Sequence, residues 1–461
     1  MNEPQACLKA RPYTLKKRQS DVRRVCEFDS DRLLECRSSR YEVAGRTLTL
    51  SNAKQGKQRR YISHGWGQNF GKCCLSLEVM NVILFFSNMI FDSHYASRRV
   101  LVTGHTGFKG AWLTEWLLML GADITGYSLP PSTTPSLFES LGVEGRVKHV
   151  IGDINDAANV ARIVEETQPD LIFHLAAQPL VRLSYEDPVR TYSTNVMGTI
   201  NVLEASRRLV KPCAVICITT DKCYENREWL YGYREEDPLG GYDPYSSSKA
   251  AAEIAISSWR RSFFSPAKIA KGEIAAVGLA SVRAGNVIGG GDWALDRIIP
   301  DCMRALARGH AIGVRNSRAT RPWQHVLEPL SGYLSLGAKL HRALLEPTRA
   351  GANRLGQLCS AFNYGPALES NLPVGVVVAE VLKHWPGTIQ DLSDPKAVHE
   401  ASLLNLTTDK AYHTLAWQPR WNFAETIART VSWYRLAASN PSAEVLRDFT
   451  LSQINEYSSS S

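Results

Sequence analysis

A chain of 461 residues, 44% apolar and 21% charged, is long enough for more than one domain and has the composition of a folded, soluble protein. It excludes a helical membrane protein, because no apolar run reaches the roughly 18 residues a spanning helix needs, and no apolar stretch follows the charged N-terminus as in a secretory leader. The net charge of +8 comes wholly from residues 1–88, with 16 Lys and Arg against 8 Asp and Glu; the remainder balances at zero, so the basic character belongs to the N-terminal segment and not to the main body.

Residues 1–88 show one dense basic cluster, "KQGKQRR" (54–60), and no sustained helical or strand period. They read as a disordered or non-native N-terminal extension, with Met89 as a natural start for the patterned part of the chain. Periodic order begins at "RRVLVTG" (98–104), a strand ending in glycine, followed by the helix "AWLTEWLLML" (111–120) with Gly121 placed to stop it. Further strands are expected at "DITGYSL", "VKHVIGDI" (147–154), "PDLIFHLAA" (169–177), "CAVICITTD" and "IAAVGLASVRAGNV" (274–287). Helices are expected at "NVARIVEETQ", about 194–209, and 245–263. Such alternation predicts an α/β fold, a Rossmann-type doubly wound parallel sheet over 98–290. Beyond about 290 the pattern turns to helices and loops, with a short strand near "AFNYG", which predicts a smaller C-terminal substrate-binding region over 291–440, partly interleaved with the sheet. Residues 441–461 read as a tail with a disordered Ser-rich end. Ten cysteines without zinc-ligand spacing fit a reduced, cytoplasmic protein with no metal site.

"TGHTGFKG" (103–110) joins the first strand to the first helix and sets glycines at 104, 107 and 110. Glycines there let the backbone turn tightly and approach a pyrophosphate that the helix N-terminus stabilises, so Gly104, Gly107 and Gly110 predict a dinucleotide site. Between 111 and 145 there is no Lys or Arg to pair a 2′-phosphate, which favours NAD over NADP, although the acid that usually holds the ribose is also missing. Ser128 can bond the ribose instead, while His105 and Lys109 in the glycine loop would favour a phosphate. Asp153 ends the third strand, either near an adenine or, like Asn155, as a helix cap. "YDPYSSSK" places Tyr245 and Lys249 four apart on one helix face, where a lysine lowers the phenol's pKa and holds a nicotinamide ribose. Thr220, Asp221 and Lys222 stand at the end of the fifth strand, on the side where a doubly wound sheet binds ligands. A simple alcohol dehydrogenase has no need of that acid and amine, so the pair predicts a proton-transfer step beyond hydride transfer; otherwise it is a solvated strand end.

These blocks, with "HLAAQPLVR", "TNVMGTINVLEA", "TTDKCYEN", "DPYSSSKAAAE", "RAGNVIGGGDWALDRIIPD" and "RPWQHVLEPLSGYL", resemble the extended short-chain dehydrogenase/reductases, and within them the NAD-dependent sugar-nucleotide 4,6-dehydratases. The resemblance runs from about Arg98 to about Ala438, and "TTDK" is similar to the members that act on a CDP-hexose. It implies that His105, Thr106, Phe108, Asp153, Ile154, Leu175, Ala176 and Ala177 join the glycines around NAD. It further implies that Tyr245, assisted by Lys249 and Thr220, accepts the carbon 4 hydroxyl proton, that Lys222 takes the carbon 5 proton, and that Asp221 protonates the departing carbon 6 hydroxyl. Asn195 resembles the family's active-site asparagine and, with Asn286, Arg297 and Arg321, is an expected contact to the nucleotide-sugar substrate; His174, Trp323 and Tyr364 read as packing. The resemblance implies a homo-oligomer, dimer or tetramer, built on helices such as "YSSSKAAAEIAISSW", and a place in deoxysugar and lipopolysaccharide-type biosynthesis. Rival readings are an epimerase or reductase of the same fold, which needs no acid–amine pair, or an RNA-binding protein using the basic arm.

Overall fold

The computed structural model describes residues 23–28, 36–43, 46–51, 91, 93–393 and 403–460. The chain forms two compact units, residues 1–74 and 75–461. In the first, strands β1 (Arg23–Phe28), β2 (Cys36–Val43) and β3 (Arg46–Ser51) pair antiparallel in sequence order. The sequence shows no sustained period here because "RTLTLS" alternates Thr and Leu over too few residues to stand out among polar neighbours. "KQGKQRR" lies outside the described residues.

The second unit is built on seven parallel strands: β4 (Arg99–Thr103), β5 (Asp123–Ser128), β6 (Lys148–Ile151), β7 (Leu171–His174), β8 (Cys213–Ile218), β9 (Val277–Ala284) and β10 (Ala361–Tyr364). Their spatial order is β6-β5-β4-β7-β8-β9-β10. Every residue of β7, β8 and β9 is buried, the continuous apolar pattern of a parallel sheet covered on both faces. Chain order reverses between β4 and β7, and the crevice beyond the carboxyl ends of these two strands is the place where such sheets receive ligands.

Helix α1 (Phe108–Met119) starts at the glycine loop, and Gly121 stops it in the left-handed conformation (φ 79°). Both its faces are buried: Trp112 and Trp116 are covered, and Trp116 meets Tyr457 edge-on at 5.9 Å. At about 25 cal/mol per Å2, rings of this size contribute roughly 4–6 kcal/mol each as an upper bound, which anchors the loop that precedes them. On the other side of the sheet lie α2 (Ala157–Thr167), α3 (Gly198–Ser206) and α4 (Pro244–Ser262). Asp156 caps α2 through the Asn159 amide, so neither Asp153 nor Asn155 is the cap.

After 290 come α5 (Ile298–Ala307), α6 (Leu327–Leu345), α7 (Val374–His384), α8 (Phe423–Ala438) and α9 (Ala443–Ser459). Helix α6 covers the sheet, since a side chain at Gly337 would strike Phe173 and Leu171, and β10 extends it; α5, α7 and α8 form the smaller region with short paired strands such as Thr320–Pro322 against Asn371–Pro373. The serine-rich end is not a disordered tail: α9 runs to Ser459, and its buried Tyr457 donates to Glu328 at 2.6 Å. Three aromatic or aliphatic anchors, Leu446, Ile454 and Tyr457, recur at helical spacing and outweigh the serines. No helix among the described residues is long and apolar enough to cross a membrane.

Candidate active site

The glycine loop is shaped by two positions that no side chain can occupy. Gly104 is left-handed (φ 76°), and a Cβ on it would lie 2.6 Å from the Ala176 nitrogen; a Cβ on Gly110 would lie 2.1 Å from the Gly104 carbonyl. Gly107, in contrast, is exposed and would meet only that carbonyl, at 3.4 Å. The loop therefore folds tightly against the residues after β7 while leaving open space above Gly107, at the N-terminus of α1, where a pyrophosphate is stabilised by unpaired amides. Leu175 is held by a bond from its amide to the Thr103 carbonyl (3.0 Å) and Ala176 by one to the Thr103 hydroxyl (3.3 Å). Ala177 comes next, half-buried.

Several side chains assigned to the dinucleotide face elsewhere. His105 is fully buried, its Nε2 2.7 Å from His149 Nδ1, and burial holds its imidazole down at about 3, so it is a neutral packing group. The Phe108 ring is directed at Gly289, and Ile154 packs on Gly198. Thr106 spends its hydroxyl on Ser128 (2.8 Å) and the Leu129 carbonyl (2.9 Å), which also occupies the Ser128 hydroxyl expected on a ribose. Asp153 accepts from both Asn155 nitrogens, at 2.9 and 3.0 Å, and remains half-buried at the crevice. For His105, Phe108 and Thr106, main-chain amides are what remains to face a phosphate.

Beyond β8 the chain makes a tight turn through Thr220, Asp221 and Lys222. Its buried Thr220 hydroxyl donates to Asp221 Oδ1 (3.0 Å), accepts the Lys222 amide (3.4 Å), and stands beside the Tyr245 phenol. Asp221 is 2% exposed, and burial pushes its carboxyl above the usual range against the charges of Lys222, Arg321 and Lys109. Burial likewise pushes the Tyr245 phenol up to about 12, opposed by the Thr220 hydroxyl and the Arg297 charge. Burial lowers the Lys249 ammonium to about 8, and its Nζ rests on the Ile218 carbonyl at 3.3 Å. Asp243 caps α4 and so fixes Tyr245 in its first turn.

Asn195 sits in a π-helical turn (Ser193–Met197) that aims it inward. Its amide is fully used, accepting the Gln178 amide and donating to the Gln178 carbonyl and the Ser248 hydroxyl. It ties the loop after β7 to α4 and is a positioning group, not the substrate contact expected. Asn286 stands half-buried beside the turn. Arg297 is paired with Asp292 at 2.8 Å. Arg321 is buried in its short strand, donates to its own Thr320 carbonyl, and acts on Asp221, so it belongs to the acid end of the site. His174, bonded to Thr103 and Thr199, is the satisfied sheet histidine expected, and Trp323 and Tyr364 are core residues.

Two features at the turn go beyond what the sequence motifs state. Lys109 leaves the phosphate loop toward the turn: burial lowers its ammonium to about 8, with Arg297 and Lys249 adding to this and Asp221 and Asp292 opposing it. A side chain at Gly285 would come within 3.0 Å of Asp221 Oδ2, so this glycine makes room for the carboxyl. The sequence marks Lys109 only as a phosphate contact and Gly285 not at all, because their nearness to Asp221 depends on which loops the sheet brings together.

A glycine cradle at the reversal point of a parallel sheet, with Thr, Tyr and Lys converging on it, defines an extended short-chain dehydrogenase/reductase. The chain belongs to the GDP-mannose 4,6 dehydratase family, whose sequence pattern matches residues 101–336. It is 47% identical to CDP-glucose 4,6-dehydratase of Salmonella typhimurium over 75% of this chain and 93% of that protein. It is 26% identical to a dTDP-glucose 4,6-dehydratase of Xanthomonas campestris pv. campestris over 72% of this chain and 92% of the relative. Among solved structures, dTDP-glucose 4,6-dehydratase of Bacillus anthracis in complex with NAD shares the fold, with a TM-score of 0.58 at 20% identity over 74% of this chain and 98% of the other.

Proposed function

We propose that this protein is an NAD-dependent sugar-nucleotide 4,6-dehydratase that converts CDP-glucose to CDP-4-dehydro-6-deoxyglucose, a hydro-lyase reaction of deoxysugar synthesis. The observation that carries the reading is Asp221: a buried carboxyl, pushed by burial above its usual range, that accepts from the Thr220 hydroxyl at 3.0 Å on the turn that also carries Lys222. An epimerase or reductase of this fold works without an acid there. The 47% identity to a CDP-glucose 4,6-dehydratase supports the substrate.

The cradle fits a dinucleotide, since added Cβ atoms would close it at Gly104 and Gly110 but leave it open above Gly107. The amides of 105–108 and the residues 175–177 would hold NAD, with Lys249 on its ribose. When bound, NAD supplies a hydride acceptor for carbon 4 and returns the hydride at carbon 6. Tyr245 takes the carbon 4 hydroxyl proton, oriented by Thr220. Oxidation at carbon 4 acidifies the carbon 5 hydrogen, which Lys222 removes as a proton. Asp221 gives its proton to the carbon 6 hydroxyl, which leaves as water. As the hydride arrives at carbon 6, Lys222 returns a proton to carbon 5, and the proton taken by Tyr245 balances the one given by Asp221, so the net change is loss of one water. Arg297 and Asn286 face the nucleotide portion, the planar fork of arginine suiting phosphate oxygens.

A homodimer is the reading that best accounts for the exposed Val189, Met197 and Ile254, apolar residues on the segment 188–197 and on α4, joined by a Tyr192–Ser247 hydroxyl bond of 2.7 Å. Five buried free cysteines among the described residues fit a reducing, cytoplasmic setting. The test is a panel of CDP-, dTDP-, GDP- and UDP-glucose and GDP-mannose, scored by mass. Loss of one water from CDP-glucose with NAD unconsumed is expected; inertness toward CDP-glucose with turnover of another base would overturn the substrate, and epimerised product without water loss would overturn the reaction.

A further inference from the structure

Beneath the catalytic turn lies a buried polar cluster that the reaction itself does not use. Glu253 stands one helical turn after Lys249 on α4, 3% exposed. Its Oε1 accepts the Thr219 hydroxyl (2.5 Å), and its Oε2 accepts the Ser281 hydroxyl and Arg283 Nη2, both at 2.8 Å. Arg283, also buried, reaches the other way through Nη1 to the Tyr224 phenol (2.7 Å) and the Glu235 carbonyl (2.9 Å), and its guanidinium lies 4.9 Å from the Tyr224 ring centroid. Tyr224 is fixed in turn by Asn363 of β10 (2.8 Å) and by stacking on Tyr233 (centroids 5.1 Å, planes 19° apart). The residue before Thr220 and the residue two after Lys222 are therefore held by opposite ends of one ion pair.

We propose that Glu253 is a positioning residue for the dehydratase site: with Arg283 it clamps both ends of the turn that carries Thr220, Asp221 and Lys222, and it supplies the buried negative charge that faces the Lys249 ammonium. The proposal rests on the dehydratase roles of that turn and of Lys249. Every oxygen of Glu253 is engaged by a donor on a different element, the turn, β9 and α4 being locked together, which exceeds what anchoring a helix requires. Hydrogen bonds and the Arg283 charge keep the carboxyl ionised, below its usual range, despite its burial. Burial lowers the Lys249 ammonium most; Cys217, Glu253 and Cys223 favour its charged form, while the ammonium of Lys109 and the neutral His174 also face it. Of the groups that favour its charge, only Glu253 is ionised at neutral pH, because burial pushes Cys217 up to about 12 and Cys223 higher still.

Two variants separate positioning from bulk stability. E253Q keeps the shape and an acceptor for Thr219 but removes the charge, leaving Arg283 unbalanced. The Lys249 ammonium then loses its proton at lower pH, so the alkaline limb of the carbon 4 oxidation, read by single-turnover nicotinamide absorbance, is expected to move acidward by roughly one pH unit. T219V keeps both charges and releases only the turn. It is expected to leave that limb in place and to lower the ratio of water loss to carbon 4 oxidation about tenfold, because general acid help depends on placement and is worth about 10²–10⁴. The double variant E253Q/R283M removes both charges together and is expected to fold and to keep the shifted limb if E253Q alone does not fold. Oxidation by the wild type at neutral pH establishes the underlying roles first; its absence would sink those roles, not the clamp. An unmoved alkaline limb in the charge variants, together with an unchanged step ratio in T219V, would show the cluster to be structural only and overturn the proposal.

Discussion

Replacing Gly107 with alanine separates the dinucleotide site from the fold that carries it. In the ligand-free chain the added methyl meets a single atom, the Gly104 carbonyl at 3.4 Å, and the backbone (φ −76°, ψ 167°) suits any residue. The loss of a glycine N-cap costs under about 1 kcal/mol, so the melting temperature should stay within a few degrees of wild type. A phosphate bound over this turn has to retreat by roughly the radius of a methyl group, about 1–2 Å, beyond hydrogen-bonding reach of at least one main-chain amide. Hydrogen bonds to charged groups are worth about 1.5–3 kcal/mol, which predicts a 10- to 150-fold weaker affinity for NAD. Gly110→Ala is the contrasting case: its methyl would sit 2.1 Å from a backbone oxygen, so stability and affinity should fall together. Calorimetric titration with NAD and a thermal melt read the two quantities. Wild-type NAD affinity in Gly107→Ala would refute the placement of the pyrophosphate over this turn.

Tyr245→Phe should bind NAD yet fail to reduce it when CDP-glucose is added, since no other group stands ready to take the hydroxyl proton; normal nicotinamide absorbance changes would contradict this. Burial raises Glu328 from 4.5 to about 7, so the folded state keeps a proton that the unfolded chain releases above about pH 4.5. Stability should therefore fall by roughly 3 kcal/mol as pH rises from 4.5 through 7, and Glu328→Gln should flatten that slope in denaturant titrations, an unchanged slope counting against it. A chain beginning at Met89 should keep activity, whereas one beginning at Arg98 should aggregate or melt early, because Phe91 and Tyr95 pack into the core and the Tyr95 hydroxyl donates to Leu334; equal stability of the two would show that this packing is dispensable.

How much of the molecule is legible in the sequence depends on range. β4 to β9 and their helices are written in local apolar runs and glycine stops, and the Gly104–Gly110 loop is a contiguous motif. Tyr245 and Lys249 share a helix face by spacing alone. The strand β10 is visible only as a possibility near "AFNYG", because four residues carry little period and its place beside β9 is set by a crossover of more than seventy residues. The same holds for Lys109, Gly285 and the Glu253–Arg283 pair, whose meaning lies in contacts between loops distant in sequence. Position in a motif marks His105 and Asn195 as ligand contacts, while the partners that occupy them, His149 and Gln178, lie on other elements. The helix α9 is hidden by serines that mask three well-spaced anchors.

The claim that Asp221 and Lys222 serve elimination is tested most directly by single-turnover reaction of Asp221→Asn and Lys222→Met with CDP-glucose, following nicotinamide absorbance and the mass of the sugar together. Both variants keep Tyr245, Lys249 and Thr220. Reduced cofactor and a 4-keto sugar that retains its carbon 6 hydroxyl should accumulate, with water loss slowed about 10²–10⁴-fold. Water loss at the wild-type rate in both variants would mean that the acid and the amine are only a strand end, and that the dehydration is carried out by other groups.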